Sequence, residues 1–326
     1  MPSPLEAVGL KEIEHAARQI EGVAWRTPIL PASRDDDGKL YLKLETLQRT
    51  GSFKFRGAWN RMSRATEEER ARGFVTVSAG NHGQAVAWSA RRLGAPCTVW
   101  TPENAVQRKV DAMRAMGATV KSLPHEEIME AMSTTSLPRS EGLNASADAT
   151  YIHPFGDPLV MAGAGTVGLE IARELPDART VLVPVGGGGL VSGVATAIKA
   201  LLPRAKVYGV QAEGAAPLPR SWAEGKPVAT GPPSTFADGM AATRVFDYMW
   251  PVMRARLDGA RAVSDEELQR AVVHLAKEAH VVAEGAGAAG LAAARRYAES
   301  EGFEGPIVCV VSGGNIDPAL LSRFLA

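Results

Sequence analysis

Lys54 stands between two phenylalanines in the stretch Gly51-Ser52-Phe53-Lys54-Phe55-Arg56-Gly57, at what reads as the start of a helix. Lysine is seldom fully buried without a partner. Burial disfavours its charged form and lowers its pKa. Two chemistries are open to such a residue. The stem can lie along apolar surface with the amine in water, as on any amphipathic helix. Alternatively the amine is held near neutrality, so that it attacks a carbonyl carbon and forms an imine. This stretch alone does not decide between them.

Three polar turns elsewhere in the chain could hold what such an amine reacts with. In VLVPVGGGGLVSGVA a strand is expected to end at Val185, Gly186 to Gly189 follow, and a helix begins near Leu190. Glycine lets backbone approach a ligand closely, and amides at a helix start cradle anions. A phosphate or carboxylate is the expected occupant. A Walker loop is excluded, because no Lys-Ser/Thr pair follows at the required spacing. In SAGNHGQAVAW the strand FVTV runs into a turn over Ser78–Gly83, with a helix from Gln84. Ser78, Asn81 and the nearby amides suit a carboxylate, while His82 reads as a structural hydrogen-bonder ahead of a base. In VVSGGNIDP the third turn places Ser312 at the end of the strand PIVCVV. Two segments spell G-x-G-x-x-G, Gly163–Gly168 and Gly285–Gly290. Neither follows a convincing buried strand and both are expected to open helices, so close helix packing is the reading rather than a dinucleotide site.

The elements that must position these turns alternate along the chain. KLYLKLE, FVTVSAG, PCTVWTP, ATVKSLP, TVLVPVGGGG, KVYGVQAE and PIVCVVSGG read as strands, with helical patterns between most of them. That alternation, with little polar patterning inside the strands, indicates an α/β protein with a mostly parallel sheet flanked by helices. Ligands bind such sheets at the carboxyl ends of the strands, where the three turns lie. Residues 123–149 are the weakest part of the pattern, and STTSLPRSEGLNASADAT within them reads as a surface loop.

The chain has 326 residues, 45% of them hydrophobic, which suits one large core or two lobes. Lys+Arg and Asp+Glu each count 36, so there is no basic field for nucleic acid or an anionic membrane, and a small molecule is the expected partner. Cys97 and Cys309 sit in apolar β-rich runs as small hydrophobes, with no disulfide framework and no metal-ligand spacing. No apolar run is long enough to span a membrane. The N-terminal segment reads as an amphipathic helix rather than a signal peptide, so a cytoplasmic location is expected.

Taken in order, RTPIL, LKLETLQRTGSFKFRGA, SAGNHGQA, AGAGTVGLEI, VPVGGGGLVSG, FADGMA, EGAGAAGLAA and SGGN resemble the fold-type-II pyridoxal-phosphate enzymes, and among them the serine/threonine dehydratases and serine racemases. The resemblance covers nearly the whole chain. It implies a two-lobed, tryptophan synthase β-like fold, with residues 1–68 and 155–326 in a large cofactor-binding domain and residues 69–154 in a smaller mobile one that closes over the substrate. It implies pyridoxal 5'-phosphate bound as an imine on Lys54, with Phe53 beside the ring and Asn81 at the 3-hydroxyl. The amides of Gly186, Gly187, Gly188, Gly189 and Leu190 would hold the phosphate, and Ser312 would meet the pyridine nitrogen. Ser78, Asn81 and His82 would hold the substrate carboxylate. Glu284 and Gly239 fall in family motifs near the ring. A homodimer is the family's habit, and the chain's end shortly after Ser312 implies no C-terminal regulatory domain.

The resemblance also implies an activity, the conversion of an L-β-hydroxy amino acid such as threonine or serine to a 2-keto acid and ammonia. A neutral serine at the pyridine nitrogen favours prompt loss of a β-leaving group over a long-lived carbanion. Racemisation of the serine racemase type is the alternative. It needs an acid on the ring face opposite Lys54, where this chain has Ala79. A phosphate- or nucleotide-binding module is the alternative in another class. Members of the family with a divalent cation carry carboxylates where Gln211, Ala215 and Pro217 stand here, so no metal is expected. The segment from Met132 to Thr150 also departs from the family pattern, so a substrate other than threonine is left open.

Overall fold

The computed structural model describes residues 7–33, 38–78, 80–103, 105–134, 137, 148–298, 300 and 302–326. Ten strands are seen among them: β1 (Ile29–Pro31), β2 (Leu40–Leu44), β3 (Phe74–Val77), β4 (Cys97–Pro102), β5 (Thr119–Leu123), β6 (Thr150–Tyr151), β7 (Thr180–Pro184), β8 (Lys206–Ala212), β9 (Gly259–Val263) and β10 (Ile307–Val311). They form a six-stranded sheet of order β1-β2-β10-β7-β8-β9 and a four-stranded sheet of order β5-β4-β3-β6. Every pairing is parallel except β1 with β2. All residues of β3, β7 and β10 are buried. Their unbroken apolar, β-branched runs are what a parallel sheet covered on both faces requires.

The helices are α1 (Leu10–Ile20), α2 (Lys54–Met62), α3 (Glu67–Arg72), α4 (Asn81–Leu93), α5 (Gln107–Ala115), α6 (His125–Ser133), α7 (Pro158–Glu174), α8 (Gly189–Leu201), α9 (Pro217–Glu224), α10 (Trp250–Arg256), α11 (Asp265–Lys277), α12 (Gly285–Tyr297) and α13 (Pro318–Leu325). The seven strands read from sequence are present, and α1 is the amphipathic N-terminal helix. β1, β6 and β9 were not legible. All three lie at sheet edges, and β1 contains Pro31, which only an edge tolerates. α4 begins at Asn81 rather than Gln84, so the polar residues of the turn are themselves the first helical turn. Those positions need no intrahelical partner for their amides, which makes a polar turn and a helix start the same object. α6 lies inside the segment read as weakest. Most of the Ser/Thr-rich stretch after it, like Ala79, falls outside the described residues.

Small residues set how α2 lies. Gly163–Gly168 lies in the middle of α7 instead of opening it. A Cβ on Gly163 would come 2.6 Å from the Arg56 carbonyl oxygen, and one on Gly168 would come 2.7 Å from that of Val194. Close packing against α2 and α8, not nucleotide binding, explains that motif.

A buried ionic network then fixes α2 to β2 and α7. Arg56 donates to Glu45 at 2.7 and 2.8 Å and to Glu170 at 2.6 and 2.9 Å. Lys43 Nζ donates to Glu170 and to the Thr27 carbonyl oxygen, both at 2.6 Å. Burial alone would depress the Arg56 guanidinium, but Glu45 and Glu170 outweigh it and hold its pKa above the ordinary value. Lys54 stands two residues before Arg56, in the same first turn of α2.

Candidate active site

The lysine is held from both sides of the chain. Ser52 bridges to Gly313, and the Phe53 amide donates to the Ser312 carbonyl oxygen at 3.0 Å. These contacts tie the start of α2 to the end of β10. The Lys54 ammonium donates to the Pro154 carbonyl oxygen at 2.7 Å and lies 5.3 Å from the centre of the Phe53 ring. A carbonyl does not compensate a buried charge as a carboxylate would. Burial accordingly lowers the Lys54 pKa from 10.5 to about 8. The amine borders a cavity of ≈ 340 Å³ that also touches Ser78, Asn81, the glycine loop, Glu284 and Ser312. That cavity lies at the carboxyl ends of strands from both sheets, the expected place for a ligand.

The glycine loop forms one wall. Gly188 has φ +96°, a conformation that favours glycine, and α8 starts at the next residue. The first helical bond runs from the Ser192 amide to the Gly188 carbonyl oxygen at 3.0 Å. The amides of Gly189, Leu190 and Val191 therefore precede any intrahelical bond. A Cβ on Gly187 would come 2.2 Å from the Phe155 ring, so only a bare backbone turns here. The result is an amide cradle at the positive end of a helix, sized for a phosphate. An amine near neutrality on the facing wall suits an aldehyde. These residues fit pyridoxal phosphate.

The opposite wall is polar and carries groups that sequence reading did not connect. Asn81 Nδ2 donates to Glu284 Oε1 at 2.6 Å, and Asn315 Nδ2 donates to Asn81 Oδ1 at 2.8 Å and to the Thr50 carbonyl oxygen at 2.9 Å. The Asn81 amide is thus locked in one orientation. Glu284 is only 4% exposed and its Oε2 has no hydrogen-bond partner. Burial, then the charge of Asp238, raise its pKa to about 7 against the opposing effects of Lys109 and Asn81.

His82 Nε2 faces the Ile152 carbonyl oxygen at 3.0 Å and its Nδ1 is unpartnered. Burial and the Lys54 charge hold its pKa well below 6.5. The ring is a neutral structural group, and what His82 offers an anion is the amide of a helix's first turn. Ser78 Oγ accepts from the Gly80 amide at 3.2 Å and keeps its own proton to donate.

Asn315 and His153 were missed in the sequence. His153 Nδ1 accepts from the amides of Phe155 and Gly156 at 3.2 and 2.8 Å, which shapes the turn carrying Pro154. For Asn315 the signal available was its place three positions beyond Ser312, in a turn already singled out; His153 follows no such turn.

Gln211, standing where cation-binding members would carry a carboxylate, donates to the Val185 carbonyl oxygen at 3.0 Å and accepts from the Leu218 amide at 2.8 Å. Glu213 is paired with Arg296 at 2.6 Å. Among the described residues no group of three or more His, Cys, Asp and Glu side chains could hold a metal ion. Cys97 and Cys309 are buried, and neither is in a disulfide. No helix among the described residues is long and apolar enough to cross a membrane.

The family described as pyridoxal-phosphate dependent enzyme matches residues 20–313 of this chain. An L-threonine ammonia-lyase of Thermotoga maritima is 40% identical over 321 residues, spanning 98% of this chain and 78% of that protein. The crystal structure of a threonine deaminase from T.th. superposes with a TM-score of 0.83 at 37% identity, covering 95% of this chain and 99% of that one. Maize serine racemase superposes with a TM-score of 0.89 at 33% identity, covering 97% and 96%. The chain belongs to the pyridoxal-phosphate dependent enzymes of fold type II, in the serine/threonine dehydratase branch, and pyridoxal phosphate is its cofactor.

Proposed function

We propose that this protein is an ammonia-lyase that converts an L-β-hydroxy amino acid to a 2-keto acid and ammonia. The observation that carries the reading is the Lys54 amine, near neutrality, across one cavity from the amide cradle of Gly186, Gly187, Gly188, Gly189 and Leu190. When bound, the cofactor withdraws electrons from the substrate's α-carbon, which makes the α-proton acidic.

The chain's own residues supply the rest. Lys54 Nζ would hold the cofactor and would serve as the base that accepts the substrate's α-proton. The Pro154 carbonyl keeps that nitrogen aimed into the cavity. Phe53 would pack against the cofactor ring, with Asn81 at its 3-hydroxyl and Ser312 at its pyridine nitrogen. Ser78 and the first-turn amides of Asn81 and His82 bind the substrate carboxylate. Loss of the α-proton and the β-hydroxyl leaves an enamine, which tautomerises and takes up water to give keto acid and ammonia. Incubating the loaded protein with L-β-hydroxy amino acids and measuring both products tests this. No ammonia from any of them, in a protein whose visible absorption shows the cofactor in place, would sink it.

The comparison with maize serine racemase keeps racemisation as a second reading. Position 79 separates the two, because alanine can neither give nor take a proton on the face opposite Lys54. Chiral chromatography is expected to show keto acid far exceeding D-amino acid. Rapid L-to-D conversion would reverse the assignment. Ala79→Ser is expected to raise the D-product relative to keto acid.

In the same reading residues 69–154 form the smaller domain, which closes over the substrate and excludes water. Two contacts from α5 support this: the Lys109–Asp238 ion pair and the bond from Arg108 to the Ile316 carbonyl oxygen at 2.7 Å. We also infer a cytoplasmic homodimer. Sedimentation as a monomer would remove the dimer, and secretion of the native protein would remove the location.

A further inference from the structure

α6 presents one stripe to the cavity. His125, Ile128, Met129 and Met132 all line it, at the spacing of one helical face. The helix's carboxylates, Glu126, Glu127 and Glu130, are not among the lining residues. Beyond His125, the lining residues of this wall, from Ile128 to Met132, are therefore apolar for just over one turn.

Its inner end is fixed close to the reacting amine. The Met132 carbonyl oxygen accepts from Tyr248 Oη at 2.8 Å and lies 3.3 Å from His153 Nε2. His153 immediately precedes Pro154, whose carbonyl oxygen takes the Lys54 ammonium at 2.7 Å. Phosphate cradle and ring contacts belong to the other walls, so the α6 stripe faces the side of the cavity left to the substrate. Serine has no carbon beyond Cβ and threonine a single methyl. Ile128 is already buried by the protein itself, whereas Met129 and Met132 are only partly buried, and neither serine nor threonine covers these two as a larger hydrocarbon group would. Methionine is unbranched and adapts to the shape of such a group.

We propose that the substrate's β-carbon carries an apolar substituent larger than methyl, a branched alkyl or aryl group, seated on Met129 and Met132. The proposal rests on the lyase reading and specifies its substrate class. A β-carboxylate is disfavoured on this wall. Besides Lys54, the lysine and arginine lining the cavity, Lys109 and Arg244, lie on other elements, and Lys109 is already paired with Asp238.

The test uses the cofactor-loaded protein and two measurements. In the first, kcat/KM for keto-acid release is compared for L-serine, L-threonine, L-threo-phenylserine and L-threo-3-hydroxyaspartate. Phenylserine is expected to exceed serine and threonine by roughly tenfold or more, the discrimination an apolar pocket gives per extra carbon group. Met129→Gln is expected to lower the phenylserine-to-serine ratio by roughly tenfold, and Met129→Leu to preserve it. In the second, L-phenylalanine and L-alanine, which have no β-hydroxyl to lose, are titrated against the cofactor's absorbance.

Where turnover occurs, its ranking decides: preference for serine, threonine or 3-hydroxyaspartate, or an unchanged ratio in a folded Met129→Gln, overturns the proposal. Where no substrate yields keto acid, the lyase reading fails, and the titration decides the pocket alone. Tighter binding of phenylalanine then supports it, and equal or weaker binding removes it.

Discussion

Two sets of buried polar side chains flank the lysine helix, and they differ in how completely they are paired. On one side Arg56, Glu45, Glu170, Lys43 and Thr27 satisfy one another, each carboxylate of the Arg56 pairs accepting through both oxygens. On the other side Glu284 Oε2, His82 Nδ1 and Ser52 Oγ have no partner, and the Lys54 ammonium has one neutral carbonyl. An unpaired buried polar group costs about 1–3 kcal/mol, and two of these residues, His82 and Glu284, line the same cavity as Lys54. The closed set holds geometry. The open set is complete only when a ligand adds the missing donors and acceptors.

Substituting across the two sets separates them most sharply. Lys54→Ala, in the open set, is expected to lower turnover by roughly ten-thousand-fold or more, since it removes both the covalent anchor and the base. Its melting temperature should match or exceed that of the unmodified apoprotein, because a poorly compensated buried amine is gone. Assays of ammonia release alongside thermal denaturation check both halves, and substantial residual elimination would mean another group takes the α-proton. Arg56→Met, in the closed set, is expected to do the reverse. It leaves Glu45 and Glu170 facing each other in the interior, which costs about 3–5 kcal/mol. Denaturant titration should show that loss, with the surviving folded fraction still able to bind pyridoxal phosphate. A neutral Arg56→Met would mean the network holds little.

What was legible in the sequence follows the same division. The strands β3, β7 and β10 announce themselves because burial on both faces selects apolar and β-branched residues, and the turns after them because a bare or polar backbone has few other uses. Lys54, Asn81, the glycines and Ser312 were found that way, and the structure brings them to one cavity. Pairings between distant positions left no local trace. Nothing near Glu284 in the sequence points to Asn81, nor near Arg56 to Glu170, since those partners meet only through the crossing of α2, α7 and the two sheets. His82 was read from its setting as a structural hydrogen-bonder ahead of a base, and its Nε2 does face a carbonyl oxygen, but that the carbonyl is the distant Ile152 was not legible.

The amine's own titration offers a finer comparison between Lys54 and an ordinary lysine. With a pKa near 8, roughly a tenth of Lys54 is neutral at pH 7, some 300-fold more than for an unperturbed lysine. Only the neutral form attacks an aldehyde. The rate at which apoprotein captures pyridoxal phosphate is therefore expected to rise about tenfold per pH unit up to pH 8 and then level off. Stopped-flow absorbance across pH 6 to 10 reads this directly. A rate still climbing steeply at pH 9.5 would place the amine in water instead.

The smallest expected effect concerns Glu284, the open set's carboxylate. Its pKa is raised from 4.5 to about 7, first by burial and next by Asp238. Folded protein thus binds more protons than unfolded chain between those two values, and stability falls as pH rises through that window. Below it both states are protonated and the penalty vanishes; above it the penalty is complete, at no more than about 3 kcal/mol for a shift of this size. Glu284→Gln removes the titration and keeps an oxygen to accept from Asn81. The variant's apoprotein should therefore match the parent near pH 4.5, apart from a constant offset, and gain on it steadily up to pH 7. Lys43, Glu45 and Glu170 provide the control, because charges neutralised within the closed set do not respond to this substitution. Melting curves at half-unit pH steps measure the difference, and one that stays flat from pH 4.5 to 8 would show that Glu284 is hydrated rather than stranded.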